Sequence, residues 1–252
     1  MAITGGNNMS LTSDYLGLVY AQLTDINEHE QTNIETAAES MKETLVNDGI
    51  IYVFGCGHSQ MFSMEMFYRT GGLVPVNPML QPAVSMASGS ITSEYERLEG
   101  IGKKVFEKSG MTSKDTLIIV SHSGRNPMPI DLAMSAKEAG VSVVTIASSA
   151  FMKGVTSRHS SGKFVKDFAD VVIDNHCVYG DAVVEVEGMD SKIAGTSSIL
   201  SIFILETLVV NVVDKCVKEG FYPPIWISGN VDGGDEKNKI SYLRYRDRIP
   251  YL

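Results

Sequence analysis

Apolar residues recur at helical spacing through Tyr15, Leu16, Val19, Leu23, Ile26, Ile34, Ala38, Met41 and Leu45. This predicts one long helix or two consecutive ones, stopped by Asp48-Gly49. The period then changes. Ile50 to Phe54, IIYVF, is apolar on both faces, as in a strand inside a parallel sheet covered by helices on both sides. After a glycine-rich turn, MFSMEMFYR has helix-forming composition and runs to Gly71-Gly72, and LVPV reads as a short second strand.

The same pattern returns. Thr116 to Val120 is a strand, followed by a polar turn, a helix from about Pro129 to Ala139, a glycine stop and a strand from Val141 to Ile146. Strand, crossover helix and strand in that order define a βαβ unit. The expected fold is therefore α/β, a doubly wound and mainly parallel sheet flanked by helices. DVVID, Asp170 to Asp174, adds a further strand, and Thr196 to Lys218 forms a closing helix that begins in a Thr-Ser-Ser cap.

Two segments depart from the alternation. Residues 78–115 read as an insertion with a helix around Glu94 to Lys108, and the tail from Phe221 holds the polar stretch SGNVDGGDEKN before a short helix-like end. No repeat period and no linker divides the chain. The expected organisation is one domain over 1–252, with a helical N-terminal extension at 10–47, an α/β core at 48–220 and a tail at 221–252.

Composition narrows the function classes. With 44% hydrophobic and 20% charged residues the chain reads as globular. A net charge of −9 with no offsetting Lys/Arg cluster argues against a nucleic-acid partner. Cys56, Cys177 and Cys216 are far apart and odd in number, which shows neither a disulfide framework nor a zinc spacing. No metal or other cofactor is expected, and a reducing cytoplasm fits best. The longest apolar run, Ile199 to Val213, is interrupted by Glu206 and Asn211, so no membrane partner is expected either.

The chemistry concentrates in the turn after the first strand, Gly55-Cys56-Gly57-His58-Ser59-Gln60. A dinucleotide fingerprint needs a third glycine where Gln60 stands, and an acid at the end of the second strand, where Val76-Asn77-Pro78 stands. A hydrolase elbow needs a second glycine where Met61 stands; Ser59 with Asp174 and His176 is the triad such a reading would use. A phosphate loop needs backbone N–H groups, a small hydroxyl and a helix start, and Gly55, Gly57 and Ser59 supply them. The last reading is reinforced by recurrence. Ser121-His122-Ser123-Gly124 follows the next long strand, and Thr196-Ser197-Ser198 opens the closing helix. In an open parallel sheet those three positions converge on one crevice.

From about Ile50 to Lys218 these residues resemble the sugar isomerase (SIS) phosphosugar-binding family. Gly55-Cys56-Gly57-His58-Ser59 looks like its first phosphate loop, and Ser121-His122-Ser123-Gly124 is similar to its Ser-x-Ser-Gly loop. Arg125-Asn126-Pro127, and Ala194-Gly195-Thr196 with Gly188 before them, resemble the branch of N-acetylmuramic acid 6-phosphate etherases. The whole-chain pattern with its GGDEKN tail looks closest to a branch labelled as phosphoheptose isomerases. The resemblance implies a flavodoxin-type three-layer sandwich, a homodimer or homotetramer, and a phosphorylated sugar or aminosugar as ligand. It implies phosphosugar contacts from Gly57, Ser59, Ser121, Ser123, Gly124, Asn126, Thr196 and Ser197. It also departs from the family: the closing helix lacks the histidine of the heptose isomerases, and Arg69 stands where the etherases place a glutamate.

The expected activity is aldose–ketose isomerisation, with a non-catalytic phosphosugar sensor as the alternative and an etherase or serine hydrolase behind it. Isomerisation needs a base to move a proton between C2 and C1 and an acid at the oxygens. Glu65, set among apolar neighbours, is the expected base, with His58 and His122 inside the two loops as proton carriers or ligands. Glu94, Glu96 and Glu99 read as the solvated face of the inserted helix, although Glu96 and Glu99 are one turn apart and able to enter a site together. His176 and Cys177 are expected at the crevice edge, and Asp235 and Glu236 in a disordered tail.

Overall fold

A computed structural model describes residues 10–252. The N-terminal pattern resolves into two helices, α1 (Leu11–His29) and α2 (Gln31–Val46). Glu30 sets the break: its carboxylate accepts from Asn33 Nδ2 at 2.8 Å and from the distant Asp174 N–H at 3.2 Å. The extension is integral to the fold, because α2 buries Ile34, Ala37, Ala38, Met41 and Leu45 in the core.

Five strands follow: β1 (Ile51–Phe54), β2 (Val76–Pro78), β3 (Thr116–Val120), β4 (Ser142–Ala147) and β5 (Val171–Asp174). All pairings are parallel, in the order β2-β1-β3-β4-β5. β2 lies three residues beyond the expected start of the LVPV strand, because Val74 N–H instead pairs with the tail at Pro224 O, 2.9 Å away. The chain leaves β1 for one edge and returns to build the other side from β3. The switch point therefore lies between β1 and β3, and their C-terminal ends open the crevice where ligands bind in such sheets.

The two faces of the sheet carry separate cores. On one face Ile51, Val53, Ile118, Val120, Val144 and Ile146 pack under α2, α3 (Gln60–Met66) and the closing helix, all with essentially no exposure. On the other, Tyr52, Phe54, Leu117, Ile119 and Val143 meet the helix Pro127–Glu138 and the tail residues Trp226, Tyr245 and Ile249. Each fully buried Ile or Leu contributes about 1.5–3 kcal/mol. The layering is helix, sheet, helix.

The insertion forms two helices, α4 (Ile91–Tyr95) and α5 (Ile101–Ser109), in place of the single helix expected from Glu94 to Lys108. Gly100, at φ +82°, interrupts them. α6 (Pro127–Glu138) and α7 (Ser149–Lys153) follow β3 and β4. A hairpin of β6 (Ala182–Val184) and β7 (Ile193–Gly195), which the sequence pattern did not signal, leads into α8 (Ser197–Lys218). The tail is ordered as α9 (Gly234–Tyr245), whose Asn238 side chain bridges the backbone of Ile227 at 3.0 and 2.7 Å. No helix among the described residues is long and apolar enough to cross a membrane.

Candidate functional site

The loop after β1 is a tight turn at the switch point. A side chain on Gly55 would stand 2.3 Å from the Ser59 carbonyl oxygen, so only glycine fits. The Gly57 N–H is consumed by Val84 O at 2.7 Å, and the Ser59 N–H by Cys56 O at 3.0 Å. This loop therefore offers a ligand its Ser59 hydroxyl, which makes no capping bond to α3, in place of the Gly57 amide expected from the sequence.

The loop after β3 has the complementary inventory. Ser121 N–H continues the sheet to Ile146 O at 3.0 Å, and His122 O accepts from Ser148 N–H at 3.0 Å. Beyond that, the N–H groups of His122, Ser123 and Gly124 donate to no other described residue. The Ser121 and Ser123 hydroxyls are likewise unengaged. Gly124 turns the chain at φ +58°, in the left-handed region that glycine tolerates. Asn126 caps α6 in position only; its Oδ1 accepts from Arg158 Nη1 at 2.9 Å.

These loops meet the start of α8. His58 Nε2 lies 3.0 Å from Ser198 Oγ, and the Phe62 ring of α3 stands edge-on to His122 with centroids 5.8 Å apart. At α8 itself the sequence expectation meets a competitor. Asp181 already occupies the anion position: its Oδ1 accepts from the N–H groups of Thr196 (3.0 Å) and Ser197 (2.8 Å), and its Oδ2 from the Ser197 hydroxyl (2.7 Å). A carboxylate there satisfies the helix dipole as a phosphate would. The Thr196 hydroxyl beside it is fully buried and has no partner.

His122 is held in one tautomer. Asn175 Oδ1 accepts from the Cys177 N–H at 3.1 Å, which orients the amide so that Nδ2 donates to His122 Nδ1 at 2.8 Å and to Ser201 Oγ at 3.1 Å. Nδ1 is then an acceptor, and the imidazole proton resides on Nε2. That Nε2–H is buried and has no partner. Burial drives the imidazole pKa down to about 4, with nearby His58 adding to the effect and Asp181 opposing it.

Glu65, the expected base, is engaged elsewhere. It pairs with Arg69, which also reaches Glu206 of α8 at 2.8 Å. Six residues beyond Ser59, it sits about 9 Å along the axis of α3. Glu96 occupies the better position. It follows α4, and its backbone carbonyl accepts from the Met128 N–H of α6 at 3.1 Å, which holds it beside the second loop; its charge acts on the Cys56 thiol of the first. Burial raises the Glu96 pKa against the lowering pull of Asn126, Arg158 and Arg97, and pushes the Cys56 thiol well above its usual range.

The hydrolase triad is not assembled. Asp174 accepts from the His176 N–H at 2.8 Å, while His176 Nε2 faces Glu30 Oε1 at 3.4 Å, at the junction of α1 and α2. No imidazole bonds Ser59. Asp235 and Glu236 lie in the first turn of α9. Among the described residues no group of three or more His, Cys, Asp or Glu side chains is arranged for a metal ion.

Two parallel-sheet loops of Gly-x-Gly-x-Ser and Ser-x-Ser-Gly form, meeting at a flavodoxin-type switch point, define the SIS domain. The model of that domain matches residues 14–148, and the chain belongs to this family. Along nearly its full length it is similar to UPF0309 proteins. That of Geobacillus kaustophilus is 36% identical over 96% of this chain and 97% of its own, and that of Caldanaerobacter subterraneus subsp. tengcongensis is 39% identical over 94% and 98%. Among solved structures, phosphoheptose isomerase from Neisseria gonorrhoeae superposes with a TM-score of 0.54 at 16% identity, covering 80% of this chain and 97% of that one. The enzyme from Francisella tularensis gives 0.52 at 14% identity, covering 81% and 96%. These likenesses establish the fold.

Proposed function

We propose that the protein binds a phosphorylated sugar or aminosugar at the β1/β3 switch point and acts on it as an aldose–ketose isomerase. The observation that carries this reading is the unengaged donor set after β3: three backbone N–H groups with the Ser121 and Ser123 hydroxyls, on the strand neighbouring β1, whose own loop leaves the Ser59 hydroxyl uncapped. Hydrogen bonds to a charged group contribute about 1.5–3 kcal/mol each, enough to retain a phosphate in an acidic protein. In this reading Gly57 shapes the first loop, and Thr196 and Ser197 contact the ligand only if it displaces Asp181. Asn126 stands at the end of the second loop, with its Oδ1 held by Arg158.

Glu96 is the proton carrier between C2 and C1: a half-buried carboxylate with a raised pKa is a stronger base than a fully solvated one. The neutral His122, presenting Nε2–H, donates to the substrate oxygen that gains charge as the enediol forms. His58 orients the start of α8 through Ser198. Exchange of the C2 hydrogen for solvent deuterium, followed by NMR on a panel of aldose and ketose phosphates, tests the assignment. Exchange that disappears in Glu96→Gln supports it; binding without exchange on every member assigns the site to sensing instead.

The same reading places the protein in the cytoplasm as a homo-oligomer. α8 presents Ile199, Phe203, Val210 and Val217 on one exposed stripe, at 42%, 37%, 68% and 43% exposure. Their spacing of four, seven and seven residues suits packing against the same helix of a second copy.

A further inference from the structure

The seven arginines of the chain divide by position. Arg69, Arg244, Arg246 and Arg248, away from the crevice, are each ion-paired to a carboxylate. Arg97, Arg125 and Arg158, gathered around the loop after β3, pair with none among the described residues. The acids of that quarter are otherwise engaged. Asp131 holds His159 at 3.1 Å and the Gly100 N–H at 2.5 Å, while Glu99 accepts from Ser160 N–H and Oγ at 2.6 and 2.7 Å. Glu96 feels Arg97 and Arg158 without forming an ion pair.

Arg125 follows Gly124 directly, and its Nε is buried without a partner. With Lys153, Thr156 and Tyr179 it lines an open pocket of about 440 Å³. The pocket adjoins the phosphate crevice along the chain. Arg125 extends the loop after β3, and Tyr179 stands two residues before Asp181. The Tyr179 ring packs on Phe151, with centroids 5.2 Å apart, and lies so close to Gly154 that a side chain there would meet it at 2.6 Å. Lys153 is exposed and, like Arg125, unpaired among the described residues. In a protein of net charge −9, two free cations, Arg125 with its buried Nε–H unpartnered and Lys153, mark a place for negative charge.

We propose that this pocket seats a second anionic group of the ligand, a carboxylate or a second phosphate, between Arg125 and Lys153, so that the substrate is a sugar phosphate carrying two anionic groups. The inference rests on the phosphosugar reading above and names its substrate class.

Calorimetric titration of matched pairs tests it: glucose 6-phosphate against 6-phosphogluconate, and fructose 6-phosphate against fructose 1,6-bisphosphate. The wild-type chain is expected to favour one doubly anionic member by about tenfold, the difference made by one charge-assisted hydrogen bond of ~1.4 kcal/mol. The pair that shows it distinguishes carboxylate from phosphate. Lys153→Gln is expected to abolish the preference while leaving the singly phosphorylated partner within about twofold. Equal affinity within both wild-type pairs overturns the proposal, as does a Lys153→Gln loss that is the same for both members. Ser123→Ala separates the two readings: it lowers both members of a pair alike if the phosphate seat is right, and neither if that seat is wrong.

Discussion

Asn175 Nδ2 lies 2.8 Å from Nδ1 of His122, and because Asn175 Oδ1 is committed to the Cys177 N–H, the imidazole carries its proton on Nε2. A loop residue that the sequence marks only as a histidine thereby becomes a neutral donor of fixed direction. Its depressed pKa has a consequence for stability. Between an unfolded value near 6.5 and the folded value of about 4, the unfolded chain binds a proton that the folded chain refuses. The contribution of this group is therefore complete above pH 6.5 and is lost as pH falls toward 4, by up to roughly 3 kcal/mol. Long-range ¹⁵N–¹H NMR should show His122 neutral, in the Nε2–H form, at pH 6. A cationic ring at that pH contradicts the assignment.

Replacing Asn175 tests the positioning role itself. Asn175→Asp puts an acceptor against Nδ1, draws the proton there and leaves Nε2 without it. Turnover is expected to fall by about 10²–10³, the cost of one lost oxyanion donor, with ligand affinity much less affected. A variant whose affinity and turnover fall together assigns Asn175 to structure alone.

The hydroxyls of the two loops make separate predictions. Ser123→Ala and Ser59→Ala each remove a charged hydrogen bond, so each should weaken sugar-phosphate binding by about 10- to 100-fold, equivalent to ~1.5–3 kcal/mol. Neither contributes to the core, so thermal stability should stay close to that of the parent. Titration calorimetry and a melting curve on the same sample check both statements.

Glu96 and Glu65 can be told apart by one conservative change each. Glu96→Gln should reduce turnover by about 10²–10⁴ while retaining binding, as expected for loss of a proton carrier. Glu65→Gln breaks the link through Arg69 to Glu206, a half-exposed cluster whose loss should cost at most ~1 kcal/mol and little activity. The reverse outcome returns the role to Glu65.

Asp181 acts on stability first. Its carboxylate caps α8 with three hydrogen bonds, so Asp181→Ala should destabilise the fold by about 1–2 kcal/mol. A melting temperature unchanged by this substitution contradicts the capping role.

Much of this architecture is legible in the chain, since β1, β3 and β5 are short apolar runs that end in glycine or polar turns, and that local signal survives folding. What failed was long-range. LVPV looks like a strand, yet the Val74 N–H is drawn to Pro224, a partner 150 residues away that no local pattern announces. The 94–108 helix reads as continuous because Gly100 costs a helix only ~1 kcal/mol in propensity; the structure instead uses its positive φ to turn. The loops of the site stand out by their glycines and serines. Asp181, Asn175 and Glu96 do not, because their roles come from what lies opposite them across loops that only the fold brings together. Glu96 in particular sits in YERLEG, a stretch that reads as a solvated charged face.

In the proposed function the donors after β1 and β3 close on a phosphate. Titration of the protein with glucose 6-phosphate, fructose 6-phosphate and glucosamine 6-phosphate, each against its unphosphorylated sugar, tests it most directly. Saturable binding of at least one phosphorylated member is expected, at least 100-fold tighter than its parent sugar, from the ~3 kcal/mol or more that several charged hydrogen bonds supply. Equal affinity for sugar and sugar phosphate, or no binding by any phosphorylated member, contradicts it.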